Sequence, residues 1–308
     1  MRLNDRTNKM KLNTSSERIF SFVSYVLMTI LGMICLLPCL HVVSKSISGG
    51  SAILSGQITF WPKGIQFRTC SYILTQTGFI TSLKNTLFVT IVGTCISMFT
   101  TITTAYPLSK PKFVGRKLFI MLYVFSMVFF GGIVPAYMVV NTLGILDTYW
   151  AMILPFAIVQ FNMFVVKSYF ESLPESIEEA AYIDGASDGQ TLVSIVLPMS
   201  TPIAATVSLL YAINYWNNYF HAMMYTSSPN MRTLQVYLYD LINNGQAIME
   251  NLYGSAFGSS VGVVSDTNMT ADGMVAAAVT LSIIPIVMVY PFVQRFMIKG
   301  ITIGSVKG

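Results

Sequence analysis

IFSFVSYVLMTILGMICLLPCLHVV, residues 19–43, runs through 25 positions without one charged side chain. A helix rises about 1.5 Å per residue, so about 20 apolar residues cross the hydrocarbon core of a bilayer. The stretch is too long for the apolar core of a signal peptide, and no small-residue cleavage site follows it. It reads as a transmembrane helix. Five similar segments follow, near 86–106, 118–139, 149–166, 203–219 and 274–293. The expected fold is therefore an all-α integral membrane bundle of six spans. Residues 1–18 form a leading segment, 19–293 the membrane domain and 294–308 a tail.

The composition fits a lipid solvent. Charged residues are 10% of the chain and apolar residues 54%, against roughly 25% charged in an ordinary soluble domain. Mean hydropathy is +0.63. The net charge of +5 does not indicate nucleic acid, because the basic residues flank the apolar segments instead of lining one face. Arg2, Arg6, Lys9, Lys11 and Arg18 precede the first span. Lys110, Lys112, Arg116 and Lys117 lie between the second and third, Lys167 follows the fourth, and Arg295, Lys299 and Lys307 follow the sixth. With six spans these thirteen share one side, against Lys45, Lys63, Arg68, Lys84 and Arg232 on the other. The excess marks the cytoplasmic face, so both termini are placed there.

Smaller features are read beside their plainer explanations. Cys35, Cys39, Cys70 and Cys95 show no metal-ligand spacing, and cysteine in an apolar run acts as a small hydrophobe. Pro38, Pro135, Pro155 and Pro285 can kink the spans that hold them. The second span carries Thr90, Thr94, Ser97, Thr100, Thr101, Thr103 and Thr104. Such hydroxyls serve close helix packing, and a polar pathway wall is the alternative. His41 and His221 read as interfacial or packing residues. Two long outer connections, 45–83 and 221–273, exceed what a minimal bundle needs. The second includes an expected helix over Thr233–Asn243, a Gly/Ser-rich stretch from Gly254 to Gly262, and a glycosylation-like triplet, Asn268-Met269-Thr270.

Six of the thirteen acidic residues fall between Glu171 and Asp188, and none lies within a span. Residues 171–202 read ESLPESIEEAAYIDGASDGQTLVSIVLPMSTP. Ser172 with Glu175 has capping-box spacing, Pro174 is tolerated in a first turn, and Gly185 supplies a left-handed stop after Ile183. Ser187 with Gln190 starts a second helix through Thr191–Val196, stopped by Pro198. Ile177, Ala180 and Ala181 share one apolar stripe, small enough for a partner to approach closely. Glu178 and Glu179 beside it suit basic partners or capping.

Here the residues carry a resemblance. Glu179-Ala180-Ala181, three residues, Gly185, nine residues, then Ile195-Val196-Leu197-Pro198 resembles the EAA loop of ABC importer permeases. Tyr211–Phe220 (YAINYWNNYF), Met231–Tyr237 (MRTLQVY), Val293–Gly308 (VQRFMIKGITIGSVKG) and Ser16–Phe20 (SERIF) are similar to sugar-importer permeases of the maltose and complex-oligosaccharide type. The resemblance implies a type I ABC importer permease in a bacterial cytoplasmic membrane. Glu178, Glu179, Ala180, Ala181, Asp184 and Gly185 would then dock an ATPase, while Ile195, Leu197 and Pro198 anchor the loop. It also implies a second related permease, an ATPase dimer that binds ATP and Mg, and an external sugar-binding protein. The chain has no GxxxxGK[ST] phosphate loop, so no cofactor is expected in it and it is not expected to be an enzyme.

Tyr211, Asn214, Tyr215, Trp216, Asn217 and Tyr219 are candidate sugar contacts, since aromatic faces and amides suit sugars. Interfacial anchoring is their alternative reading. A non-sugar ABC permease and an ion-coupled transporter are the rival functions. The second conflicts with the absence of acidic residues from the spans. Neither HExxH nor GxSxG occurs, so nothing supports an intramembrane hydrolase.

Overall fold

A computed structural model describes residues 15–129, 131–258 and 269–304. Among the described residues all regular structure is helical. Helix α1 spans Ser15–Ser46, and short α2 (Gly50–Leu54) and α3 (Arg68–Gln76) follow. Helix α4, Phe79–Ser109, is the centre of the bundle and packs against several later helices. Then come α5 (Arg116–Val128), α6 (Ile133–Thr142), α7 (Tyr149–Ile153), a 3-10 turn at Leu154–Phe156 and α8 (Gln160–Glu171). The loop helices are α9 (Glu175–Ile183), α10 (Asp188–Thr191), a π turn over Leu192–Val196 and α11 (Leu197–Met199). The chain closes with α12 (Thr201–Trp216), α13 (Phe220–Tyr225), a 3-10 turn at Pro229–Met231, α14 (Leu234–Gly258) and α15 (Ala271–Gly304).

Among the described residues three helices are each long and apolar enough to cross a membrane: Arg18–Ser46, Phe79–Ser109 and Ala271–Pro291. The other three expected spans are bent. Arg116–Val128 pairs with Ile133–Thr142, Tyr149–Phe156 meets Gln160–Glu171 at 49°, and Asp188–Met199 meets Thr201–Trp216 at 84°. Counting each bent pair as one span gives up to six crossings, the number expected from hydropathy. The prolines divide accordingly. Pro38 and Pro285 sit inside continuous helices, whereas Pro155 lies in the break between α7 and α8.

That break is the most informative feature of the core. Pro155 cannot donate to the helical ladder, and carbonyls freed within lipid must find partners inside the protein. The Tyr215 hydroxyl donates to the Ile153 carbonyl at 3.1 Å and lies 2.9 Å from Ser97 Oγ. Ser97 also reaches the Phe156 carbonyl at 3.3 Å, and Thr100 donates to the Ala157 carbonyl. Beyond the break, the Val159 amide donates to the Tyr211 hydroxyl at 3.0 Å, which in turn sits 2.7 Å from Thr101 Oγ1. The hydroxyl stripe on α4 therefore packs and repairs its neighbour, which supports the packing reading over the pathway wall. Thr90 and Thr94 lie on the same helix, and their buried hydroxyl oxygens have no hydrogen-bond partner among the described residues.

The outer end is a second layer. Ile73, Phe79, Trp216, Leu234, Leu241 and Met274 form a core where α3, α14 and the start of α15 cover α4 and α12. Asn85 ties this layer down: its amide donates to the carbonyls of Asn230 (2.7 Å) and Arg232 (2.9 Å), and its oxygen accepts from Tyr149. One face of the first turns of α4, at Phe79, Ser82, Asn85 and Thr86, is thus buried in protein, and the helix begins seven residues before the hydropathic segment. Asp147, at φ 57°, clamps the same connection a few residues earlier by accepting from the backbone amides of Ser227 and Ser228. The expected helix Thr233–Asn243 is real but continues as α14 to Gly258. Residues 259–268, which include the end of the Gly/Ser-rich stretch and Asn268 of the triplet, lie outside the described residues. Helix α15 passes without a break from the membrane domain into the tail.

Gly93 lets α12 approach α4. A Cβ there would lie 2.7 Å from Tyr215 Cζ, closer than any tolerable contact. Gly93→Ala should therefore displace the Tyr215 ring and lower the stability of the purified protein by about 1–3 kcal/mol, read as a lower thermal midpoint. Tyr215→Phe, which keeps the volume but takes the donor from the Ile153 carbonyl, should also lower the midpoint, at a cost of about 1–3 kcal/mol.

Candidate ATPase-docking loop and substrate pathway

The loop between α8 and α12 is built from two helical pieces at the cytoplasmic end of α4. Helix α9 carries Glu175 and Glu178 in its first turn, where carboxylates favour the helix dipole. The expected Ser172–Glu175 capping box does not form. Pro174 is the N-cap, no side chain caps the helix, and the Ser172 hydroxyl donates to the Tyr169 carbonyl of α8 instead. Ser172 still belongs to the helical end of α8, so its oxygen faces backwards. Gly185 does take the left-handed conformation, at φ 83°, and the chain turns there. The Ser187–Gln190 capping box is present in both directions. The second piece runs on past Val196 and ends at Met199, one residue after Pro198. The direction changes at Ser200, where α12 begins.

The expected apolar stripe is divided between two surroundings. Ala181 is 6% exposed and turned into this chain, whereas Ala180 and Glu179 face outward. Ile183 is 86% exposed at the tip, beside exposed Asp184 and Gly185. Glu178 points inward and is ion-paired to Lys110, whose ammonium also lies 4.5 Å from the centre of the Tyr106 ring. Both Lys110 and Tyr106 belong to the cytoplasmic end of α4. Tyr182 donates to Asp188 at 2.7 Å, joining the two loop helices, and this bond pushes its phenol pKa upward. Arg116 and Lys167 both grip Glu171, at 2.6 and 2.7 Å, where α8 enters the loop.

The anchor also differs in detail from the expectation. Ile195 and Leu197 are half-buried and Pro198 is exposed, while Val196, Thr191 and Ser200 are buried almost completely. Val196 packs in the main core with Leu192 beside it. Lys110 was legible only as a topology signal, because nothing local pairs it with a residue 68 positions away.

The candidate sugar contacts separate into two groups. Tyr211 and Tyr215 are buried, and their hydroxyls serve the α7–α8 break. Trp216 is buried in the outer core. Asn214 and Asn217 are exposed, the latter donating to the Ile213 carbonyl at 3.0 Å. Tyr219 is half-buried, stacks near Tyr239 at 4.7 Å and reaches Met223 Sδ. His221 packs among Phe156, Phe220 and Tyr225, and His41 Nδ1 lies 2.7 Å from the Thr59 carbonyl. No cluster suited to a metal ion occurs among the described residues.

The Lys110–Glu178 pair gives a direct test of how the loop is held. Lys110→Ala and Glu178→Gln should each weaken coupling of ATP hydrolysis to transport while membrane insertion is preserved. The exchange Lys110→Glu with Glu178→Lys should recover part of the loss, and a double-mutant cycle on transport rates measures that recovery.

Comparison with known proteins agrees with this geometry. Protein LplC of Bacillus subtilis is 36% identical over 300 residues, covering 96% of this chain and 97% of the relative. The polygalacturonan/rhamnogalacturonan transport system permease protein YtcP of the same organism is 36% identical over 292 residues, covering 95% and 99%. A crystal structure of a bacterial ABC transporter involved in the import of the acidic polysaccharide alginate contains a chain that is 35% identical. It superposes with a TM-score of 0.83 over 92% of this chain and 98% of that one. Residues 7–303 match the binding-protein-dependent transport system inner membrane component family, and with six helical crossings and an EAA loop on one face, this chain belongs to it.

Proposed function

We propose that this chain is the non-catalytic permease of an ATP-driven oligosaccharide importer, coupled to a separate ATPase through α9. One observation carries the reading. The EAA-type segment folds into a short helix with an outward Glu179–Ala180 face and a bare Ile183–Gly185 tip, fastened to α4 behind by Glu178. A helix held from behind and open in front can transmit a push into the bundle. Glu179, Ala180, Ile183, Asp184 and Gly185 are the groups that would meet the ATPase, while Ala181 and Glu178 hold the helix in place. ATP and Mg would be bound wholly by that ATPase, since the chain has no phosphate loop.

The further partners are an external binding protein, as the family description implies, and a second permease that completes the pathway. YtcP and the alginate importer support a carbohydrate cargo. Of the candidate contacts, Asn214, Asn217 and Tyr219 keep groups available to a sugar. Tyr211, Tyr215 and Trp216 act as the wall behind them.

Uptake should be measured with the cognate binding protein against neutral and acidic oligosaccharides, and saturable ATP-dependent uptake of one of them is the expected result. Uptake of a non-sugar solute alone would replace the cargo assignment. Gly185→Val imposes a left-handed backbone on a β-branched residue, although no atom lies within 4 Å of the added Cβ. It should abolish substrate-stimulated ATPase activity while the protein still inserts. Unaltered stimulation would remove α9 from the docking role.

A further inference from the structure

The outer connection after α1 carries large apolar side chains that the protein does not cover. Phe60, Ile65 and Phe67 are exposed, and Trp61 is 83% exposed. The backbone beneath them is fixed. The Thr59 carbonyl meets His41 Nδ1 at 2.7 Å, and the Phe60 carbonyl accepts from Ser44 Oγ at 2.6 Å. Further along, the Lys63 amide donates to Ser48 Oγ, the Gly49 amide to the Lys63 carbonyl at 3.0 Å, and the Gln66 amide to the Ile47 carbonyl at 2.9 Å. Ile58 points inward and is buried. Residues 59–67 are therefore strapped along the last turns of α1.

Those hydrogen bonds set the depth. His41 and Ser44 bracket the end of the apolar run, and at about 1.5 Å per residue they span roughly one helical turn. Trp61 thus sits at the level where hydrocarbon gives way to headgroups. The neighbouring face of α1 presents exposed Leu36, Leu40 and Val43, so the patch is continuous with a lipid-facing surface. Lys63 lies two residues beyond Trp61 and can extend toward phosphate while its stem stays apolar. Trp with a nearby cation at this depth is the chemistry of an interfacial belt.

We propose that residues 59–67 form a membrane-interface anchor, which lays Phe60, Trp61, Ile65 and Phe67 into the outer headgroup region beside α1. The occupant of the patch is the lipid surface. The anchor would fix the height of α1, which leans on α15 and has most of its circumference uncovered.

The assembled transporter, reconstituted in phosphatidylcholine–phosphatidylglycerol vesicles, gives the test. The emission difference between the parent and Trp61→Phe isolates Trp61. Lipids brominated high on the acyl chain should remove most of that signal, lipids brominated near the chain end much less, and aqueous iodide little. Quenching by iodide but not by brominated lipid would overturn the proposal in favour of a water-exposed loop. Quenching by neither would overturn it in favour of a protein partner. A nitroxide on Trp61→Cys, with the four native cysteines replaced, provides a second readout. Faster relaxation by oxygen than by a water-soluble nickel chelate is expected, and the reverse order would also overturn the proposal.

Discussion

The bundle depends on how the backbone of the broken fourth span is satisfied. In water the carbonyls freed around Pro155 would bind solvent. In a membrane each one left alone costs several kcal/mol. Tyr215, Ser97, Thr100 and Tyr211 answer the open groups of Ile153, Phe156, Ala157 and Val159 from two other helices. This makes α4, α7–α8 and α12 one interlocked unit. Gly93 and the tyrosines of α12 have their places because hydroxyls must reach that break.

The loop on the cytoplasmic face is joined to that unit at both ends. Lys110, the C-cap of α4, holds Glu178 of α9. Val196 carries the second piece into the core. The 84° turn before α12 makes the loop a lever attached to a span that itself contacts α4 and α15. Ile183 is thus connected through hydrogen bonds and packing to α4, α12 and α15. An ion pair between two partly covered groups is a suitable joint, because it restrains position and still permits rotation.

Much of this was legible in residue order. Uninterrupted apolar runs located the spans, and the excess of Lys and Arg on alternate connections oriented them. Gly185 announced its own left-handed turn, and Ser187 with Gln190 announced a cap that forms. The failures share one cause. Ser172 had the right spacing to cap α9, but the preceding helix extends to it and takes its hydroxyl. Ala181 had the look of an open contact surface, yet the side of a short helix that faces inward depends on the bundle behind it. Tyr211 and Tyr215 offered sugar-binding chemistry, and the same hydroxyls were required by a neighbour more than fifty positions away.

The sequence by itself determined that this is a lipid-solvated, six-span helical chain carrying an EAA loop. The first two rest on hydropathy and charge placement and the last on the resemblance of Glu179–Ala181, Gly185 and Ile195–Pro198 to a family motif, each confined to a short stretch of chain. Only the tertiary structure decided where each polar group spends its hydrogen bonds. Helix ends covered by protein could begin earlier than hydropathy indicates, as α4 does around Asn85. Lys110 became the holder of α9, and the 59–67 strap was set at the level of the end of α1. The reason is common to all three: an unpaired polar group in or beside lipid must be answered from wherever the fold can supply a partner, and linear spacing does not encode that supplier.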